Sequence, residues 1–143
     1  MTKREKLSRM EMPELLQDRV ETSAHYYENA IALMNRGEYR KASELLWGAT
    51  TQMIKALSQV EGTEIRSHKQ FRSYVHDKLS YADPKLMSQF RDIESLHNHF
   101  YDATLERDEV EQISATVRQF IERLRELLYS RLKKEGQTGN TTL

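Results

Sequence analysis

The segment from residue 91 to residue 102 holds more side chains suited to acid–base or phosphate chemistry than any other part of the chain. Histidine exchanges protons near neutral pH, and arginine holds a phosphate through two parallel hydrogen bonds. His97 could therefore take the proton of an RNA 2′-hydroxyl while Arg91 stabilises the charge that develops on the phosphorane. Tyr101 follows His97 by one helical turn and lies within its reach. These three residues form the candidate catalytic set of a ribonuclease that needs no metal ion.

Helix geometry limits how this set can act. At about 100° per residue, His97 falls in the middle of an apolar stripe, and Arg91 points about 120° away from it. The predicted stripe consists of Leu86, Phe90, Ile93, His97 and Phe100. In a regular helix, Arg91 and His97 can meet on one phosphate only across a dimer axis. The alternative interpretation is that His97 is a core or interface histidine whose ring N–H is satisfied by a neighbour.

A second candidate region is the basic stretch from residue 66 to residue 78, where Phe71 and Tyr74 alternate with cations. Such a pattern can offer phosphate contacts beside a stacking surface for single-stranded RNA. A surface helix whose Phe71 and Val75 face the core has the same pattern. The candidate nucleotide- or RNA-binding residues are Arg66, His68, Lys69 and Arg72 in this stretch and Asn98, His99 and Asp102 in the later segment.

The residue types predict no metal site and no cofactor. His97 and His99 point about 200° apart on a helix, so they cannot share a metal ion. The sequence contains no phosphate-cradling loop and no His-Glu-x-x-His pattern. Cysteine is absent, which excludes a thiol nucleophile, a disulfide scaffold and a Cys-ligated zinc site.

Length and composition favour one globular domain. The chain has 143 residues, and its 22 basic and 22 acidic residues cancel, so net charge gives no help in attracting phosphate. No apolar run approaches the ~20 residues that span a bilayer, and the N-terminus lacks the apolar core of a signal peptide. We therefore expect a cytoplasmic protein that does not insert into a membrane.

Helix start and stop signals predict five helices and no strand, an all-α up-and-down bundle. The predicted spans are 13–36, 38–61, a short helix after Ser67, 84–102 and 108–135. Ser67 with Gln70, and Asp108 with Glu111, have the spacing of capping boxes. Glycines at the ends of apolar stretches predict C-terminal caps at Gly37, Gly62 and Gly136. The bundle domain would occupy residues 13–135, with mobile segments at 1–12 and 136–143.

The first two predicted helices form a long antiparallel hairpin because only a short turn at Gly37 joins them. Gly48 lies inside the second helix, where glycine costs about 1 kcal/mol relative to alanine. Close approach of another helix would compensate for that cost. Trp47 beside it would then pack in the core or anchor a subunit interface.

Two parts of the chain resemble a known superfamily. The hairpin segment Gly37-Glu38-Tyr39-Arg40-Lys41-Ala42 resembles the opening of HEPN domains, which are small helical bundles. The segment Leu96-His97-Asn98-His99-Phe100-Tyr101-Asp102 resembles the archaeal PaREP family within that superfamily. The similarity extends over about residues 13–132.

The resemblance implies a homodimer with a groove near the two-fold axis that takes nucleotide or RNA. Many HEPN proteins are metal-independent ribonucleases, toxins or antiviral effectors whose motif is an arginine followed closely by a histidine. Arg91 and His97 have that spacing. The alternative function is a noncatalytic interaction module that pairs with itself or with a small nucleotidyltransferase. A fragment of a helical-repeat adaptor is a third option.

Overall fold

The computed structural model describes the backbone of residues 13–141 and the side chains of residues 13–134. Over these residues the chain forms five helices and no strand, which confirms the predicted all-α class. The helices are α1 (Glu14–Asn35), α2 (Tyr39–Val60), α3 (His68–Tyr74), α4 (Lys85–Asp102) and α5 (Arg107–Thr141). A π-helical turn (Val75–Leu79) and a last short turn (Ser80–Ala82) extend α3. In this part of the chain, no helix is both long and apolar enough to cross a membrane.

Helices α1 and α2 fold back on each other through a tight turn. Gly37 has a φ of 81°, a left-handed conformation that glycine adopts without steric cost. Ser23 on α1 donates a hydrogen bond of 2.7 Å to the carbonyl of Ala49 on α2. A Cβ atom added at Gly48 would lie 3.1 Å from the ring of Tyr26. The close approach predicted at Gly48 is therefore confirmed, and Tyr26 is the neighbour.

Helix α2 is the centre of the fold, because α1, α4 and α5 all pack against it. Its large buried side chains meet those of α4 and α5 in one core, which burial of apolar surface stabilises. The largest fully buried side chains are Leu46, Met53, Ile54, Leu57, Leu79, Leu86, Phe90, Ile93, Leu96, Phe120, Leu124 and Leu128.

Helix α3 begins at the predicted capping box. The Ser67 hydroxyl accepts from the backbone N–H of Gln70, and the Gln70 side chain accepts from the backbone N–H of Ser67. These two bonds satisfy N–H groups that the first helical turn leaves without partners. Phe71 and Val75 are buried, as predicted by the interpretation of this stretch as a surface helix with those two residues facing the core.

Helix α5 differs from its predicted bounds at both ends. It begins at Arg107, and the Glu109 carboxylate, rather than that of Glu111, accepts from the N–H of the preceding residue Glu106 at 3.0 Å. The helix continues past Gly136 to Thr141, so Gly136 is not a C-terminal cap. Glycine permits a left-handed turn but does not impose one. The segment 1–12 and residues 142–143, predicted as mobile, lie outside the described residues.

Candidate functional site

The buried face of α4 differs from the predicted stripe near its C-terminal end. Leu96 and His99 are buried there, whereas His97 and Phe100 are partly exposed. The prediction that His97 lies in the middle of the apolar face is therefore wrong. The chain after α4 folds back over the helix and covers His99, because Ala103 adopts a left-handed conformation with a φ of 52°. The spacing of apolar residues along α4 gives no sign that a later segment of the chain buries His99.

His97 lies at the edge of the core, between α4 and α2. Its ring stacks on Trp47 with a centroid separation of 5.3 Å. Its Nδ1 atom is 3.0 Å from Oε2 of Glu44, which lies one turn before Trp47 on α2. The ring of Tyr101 packs edge-on against the imidazole at 5.4 Å, and its side chain is exposed. His97 is thus held by three neighbours while its own side chain keeps 27 % of its surface exposed.

His68, the first residue of α3, lies beside His97. Its ring stacks on Trp47 at 5.1 Å, and the two imidazole centroids are 5.6 Å apart. Nε2 of His68 contacts Oε2 of Glu94 on α4, and Arg72 donates to the same oxygen at 2.6 Å. We call this group the paired-histidine site. It consists of His68, His97, Trp47, Glu44, Glu94 and Arg72.

The two carboxylates determine which ring nitrogens carry protons. An ionised carboxylate can only accept a hydrogen bond, so Nδ1 of His97 and Nε2 of His68 must be donors. In its neutral form, His97 therefore has its lone pair on Nε2, away from Glu44. A histidine oriented in this way by a carboxylate is suited to act as a general base.

Glu94 responds to two opposing effects. Burial alone would raise the pKa of its carboxyl, but hydrogen bonds from Arg72 and His68, together with their charge, outweigh burial and lower that pKa below its ordinary value of 4.5. The charged form of Glu94 is therefore favoured in the folded protein.

Replacing Glu94 with glutamine is expected to change how stability depends on pH. A carboxyl whose pKa is lowered by folding stabilises the folded state above its unfolded pKa, and this contribution is lost as pH falls through the folded pKa. The wild type should lose stability below about pH 4.5 more steeply than Glu94→Gln, as measured by urea unfolding over a pH series. Glu122→Gln, at an exposed position on α5, controls for loss of one negative charge. Equal slopes for wild type and Glu94→Gln would contradict this account.

The structure brings together only part of the predicted site. Three predicted residues, His97, His68 and Arg72, belong to the paired-histidine site, and Tyr101 borders it. Arg91, Asn98, Asp102 and Lys69 are exposed elsewhere on their helices, and Arg66 pairs with Glu64 at 2.8 Å. Phe71 and Tyr74 are buried, so they offer no stacking surface for RNA. The stacking-surface interpretation is therefore wrong, and the core-facing alternative is confirmed for Phe71 and Val75.

His99 occupies a separate, buried position. Its Nδ1 accepts a hydrogen bond of 2.8 Å from the backbone N–H of Leu105. Burial lowers its pKa, and the nearby charge of Arg40 lowers it further against an opposing effect of Glu109. His99 is consequently neutral at physiological pH, with its proton on Nε2.

Sequence reasoning missed Trp47, Glu44 and Glu94 as members of the site. Their spacing contained a usable signal, because residues three or four apart share a helix face. Glu44 precedes Trp47 by three residues, and Glu94 precedes His97 by three. No group of three or more histidines and carboxylates is arranged to hold a metal ion within the described chain.

A family model described as the archaeal PaREP1/PaREP8 family matches residues 18–121. The matched segment contains the whole paired-histidine site and most of the bundle. No curated protein matches the chain.

Proposed function

The chain belongs to the archaeal PaREP1/PaREP8 family, and we propose that this member is a HEPN-like protein that binds RNA at the paired-histidine site and cleaves it without a metal ion. The observation that carries this proposal is the pair of imidazoles 5.6 Å apart, each contacting a carboxylate. Two histidines so close can both contact one phosphate group. One can act as base while the other, protonated, acts as acid.

The proposed reaction is an internal transesterification. Nε2 of His97 removes the proton of the 2′-hydroxyl, and the 2′-oxygen forms a bond to phosphorus. The bond from phosphorus to the 5′-oxygen breaks, and the leaving oxygen takes a proton from the imidazolium of His68. The products are a 2′,3′-cyclic phosphate and a 5′-hydroxyl. Glu44 and Glu94 orient the rings and stabilise their protonated forms.

Arg72 supplies the positive charge in this mechanism. Its Nε and Nη2 atoms donate to Glu94, and the remaining N–H groups of its exposed guanidinium are available to a phosphate. Arg91 is exposed on α4 and points about 120° away from His97. It would reach the same phosphate only from a second copy of the chain.

Incubation of the purified protein with mixed RNA and a metal chelator tests the proposal. The wild type should generate fragments with 5′-hydroxyl ends, and His97→Gln should slow their formation by about 10²- to 10⁴-fold, the usual contribution of a general base. His25→Gln is the matched control, because His25 is an exposed histidine on α1. Equal rates for wild type and His97→Gln, or RNA left intact by the wild type, would rule out catalysis at this site.

We also propose that the protein is a homodimer, as the HEPN resemblance implies. Tyr81 and Tyr101 are large apolar side chains left exposed, and Tyr101 borders the paired-histidine site. Light scattering on the sample used for the cleavage assay measures the molar mass of the protein in solution, and we expect the mass of two chains. A monomer would contradict a site shared between copies.

The second candidate function is a noncatalytic module that pairs with itself or with a small nucleotidyltransferase. It is favoured by the pairing of these side chains with one another, since the Glu94 carboxylate already accepts from both His68 and Arg72. Under this candidate, the wild type leaves RNA intact and His97→Gln affects only stability or assembly.

A further inference from the structure

We infer that a second groove, at the start of α2, binds a phosphate group. The groove has a volume of about 380 Å³ and lies between the α1–α2 turn and the α4–α5 loop. Its principal lining residues are Tyr39, Arg40, Lys41, His99, Leu105 and Arg107. His97 and His99 are two residues apart on α4 and point about 200° apart, so this groove is separate from the paired-histidine site. The inference does not rest on the proposed ribonuclease function.

Backbone donors are the first component of the groove. The N–H groups of Tyr39, Arg40 and Lys41 form the first turn of α2 and have no partner within that helix. The N-cap residue Glu38 makes no side-chain cap bond to them. The N-terminal end of this 22-residue helix also carries the positive end of its dipole.

His99 is an independent observation that points to a ligand. Its residue surface is only 4 % exposed, and it lines the groove. Because Nδ1 accepts from Leu105, the neutral ring carries its proton on Nε2. Among the described residues, that Nε2–H has no hydrogen-bond partner. Within the part of the chain that the structure describes, His99 Nε2 is not one of the fully enclosed side-chain atoms that lack a partner, so it opens to the groove, where an anion can accept from it.

Cationic side chains complete the groove. The guanidinium of Arg107 lies over the ring of Tyr39, 5.2 Å from its centroid. It also lies close to the α1–α2 turn, 3.9 Å from the position that a Cβ atom would take at Gly37. Arg40 is fixed by donating to the carbonyls of Phe100 and Tyr101 at 2.9 and 3.1 Å. Both guanidiniums retain further N–H donors.

One carboxylate, that of Glu38, also lines the groove. Arg36 and Lys41 neutralise it through ion pairs of 3.1 and 3.3 Å. The groove therefore presents backbone donors, a neutral histidine donor and two arginines to one anion. A phosphate, with several acceptor oxygens and up to two negative charges, uses more of these donors than a carboxylate can.

Titration of the full ¹⁵N-labelled chain with inorganic phosphate, adenosine 5′-monophosphate and adenosine tests the inference. We expect both phosphate-containing probes to shift the amide signals of residues 39–41 and the Nε2 signal of His99, whereas adenosine leaves them unchanged. Tighter binding of the nucleotide than of free phosphate would identify a nucleotide as the source of the phosphate. Equal binding would identify free phosphate.

Arg107→Gln should weaken phosphate binding by about ten- to a hundredfold, the loss of one charge-assisted hydrogen bond. Arg118→Gln is the matched control, because Arg118 is an exposed arginine on the same helix. The amide signals of residues 39–41 come from this groove and not from the paired-histidine site, which separates this inference from the proposed function. The inference is overturned if phosphate leaves residues 39–41 unshifted, if adenosine shifts them equally, or if Arg107→Gln binds phosphate like the wild type.

Discussion

Trp47→Ala is expected to lower the free energy of unfolding by about 3–5 kcal/mol, the usual cost of truncating a buried aromatic side chain to alanine. Trp47 is only 7 % exposed and contacts rings on two other helices, including Phe71 at 6.3 Å and Phe90 at 5.7 Å. Small domains are stable by about 5–15 kcal/mol, so this loss is a large fraction of the total stability. Urea unfolding followed by circular dichroism measures the loss.

The same substitution should separate the two imidazoles of the paired-histidine site. His68 and His97 both stack on the indole, so its removal takes away the surface that places them side by side. Trp47→Phe keeps an aromatic surface, so it should lose less than half as much stability as Trp47→Ala. A loss below about 1 kcal/mol for Trp47→Ala lies within the range of ordinary substitutions. It would mean that the indole does not stabilise the packing of the helices around it.

Phe90→Ala is expected to cost a similar 3–5 kcal/mol, because Phe90 is fully buried between α2 and α5. Phe100 offers a control of the same residue type on the same helix. It is only partly buried, so Phe100→Ala should cost less than half as much. Denaturant midpoints of the two variants, measured under one set of conditions, give the comparison.

These two phenylalanines also test the register of α4. Sequence periodicity assigns both to one apolar stripe, whereas the structure buries Phe90 and leaves Phe100 at the edge. Equal destabilisation by Phe90→Ala and Phe100→Ala would favour the register predicted from the sequence.

The helices were predictable because their signals are local. The glycine at 37, the capping box at Ser67 and the start of α4 after Asp83 and Pro84 each depend on residues within one turn. In the structure, the backbone N–H of Lys85 donates to the Asp83 side chain at 3.1 Å. The predicted pairing of Asp108 with Glu111 at the start of α5 is wrong, because Glu109 accepts from the backbone N–H of Glu106. Glu111 instead accepts from the hydroxyl of Tyr39, which is distant in sequence.

The candidate site was less predictable, because it depends on contacts between helices. The residue type alone indicates that His97 could act as an acid or base. Its partners Glu44 and Trp47, however, come from α2, about fifty residues earlier. His68 belonged to a different predicted cluster, and only packing of α3 against Trp47 joins the two histidines. Single-helix periodicity contains no information about such pairings.

The stacking of both imidazoles on Trp47 has an optical consequence. This is the chain's single tryptophan, so intrinsic fluorescence comes from one indole with two imidazoles against it. A protonated imidazole quenches an excited indole by accepting an electron, whereas a neutral imidazole does so far less. The emission of the unlabelled protein therefore reports directly on the charge state of these rings, and it does so without any introduced dye.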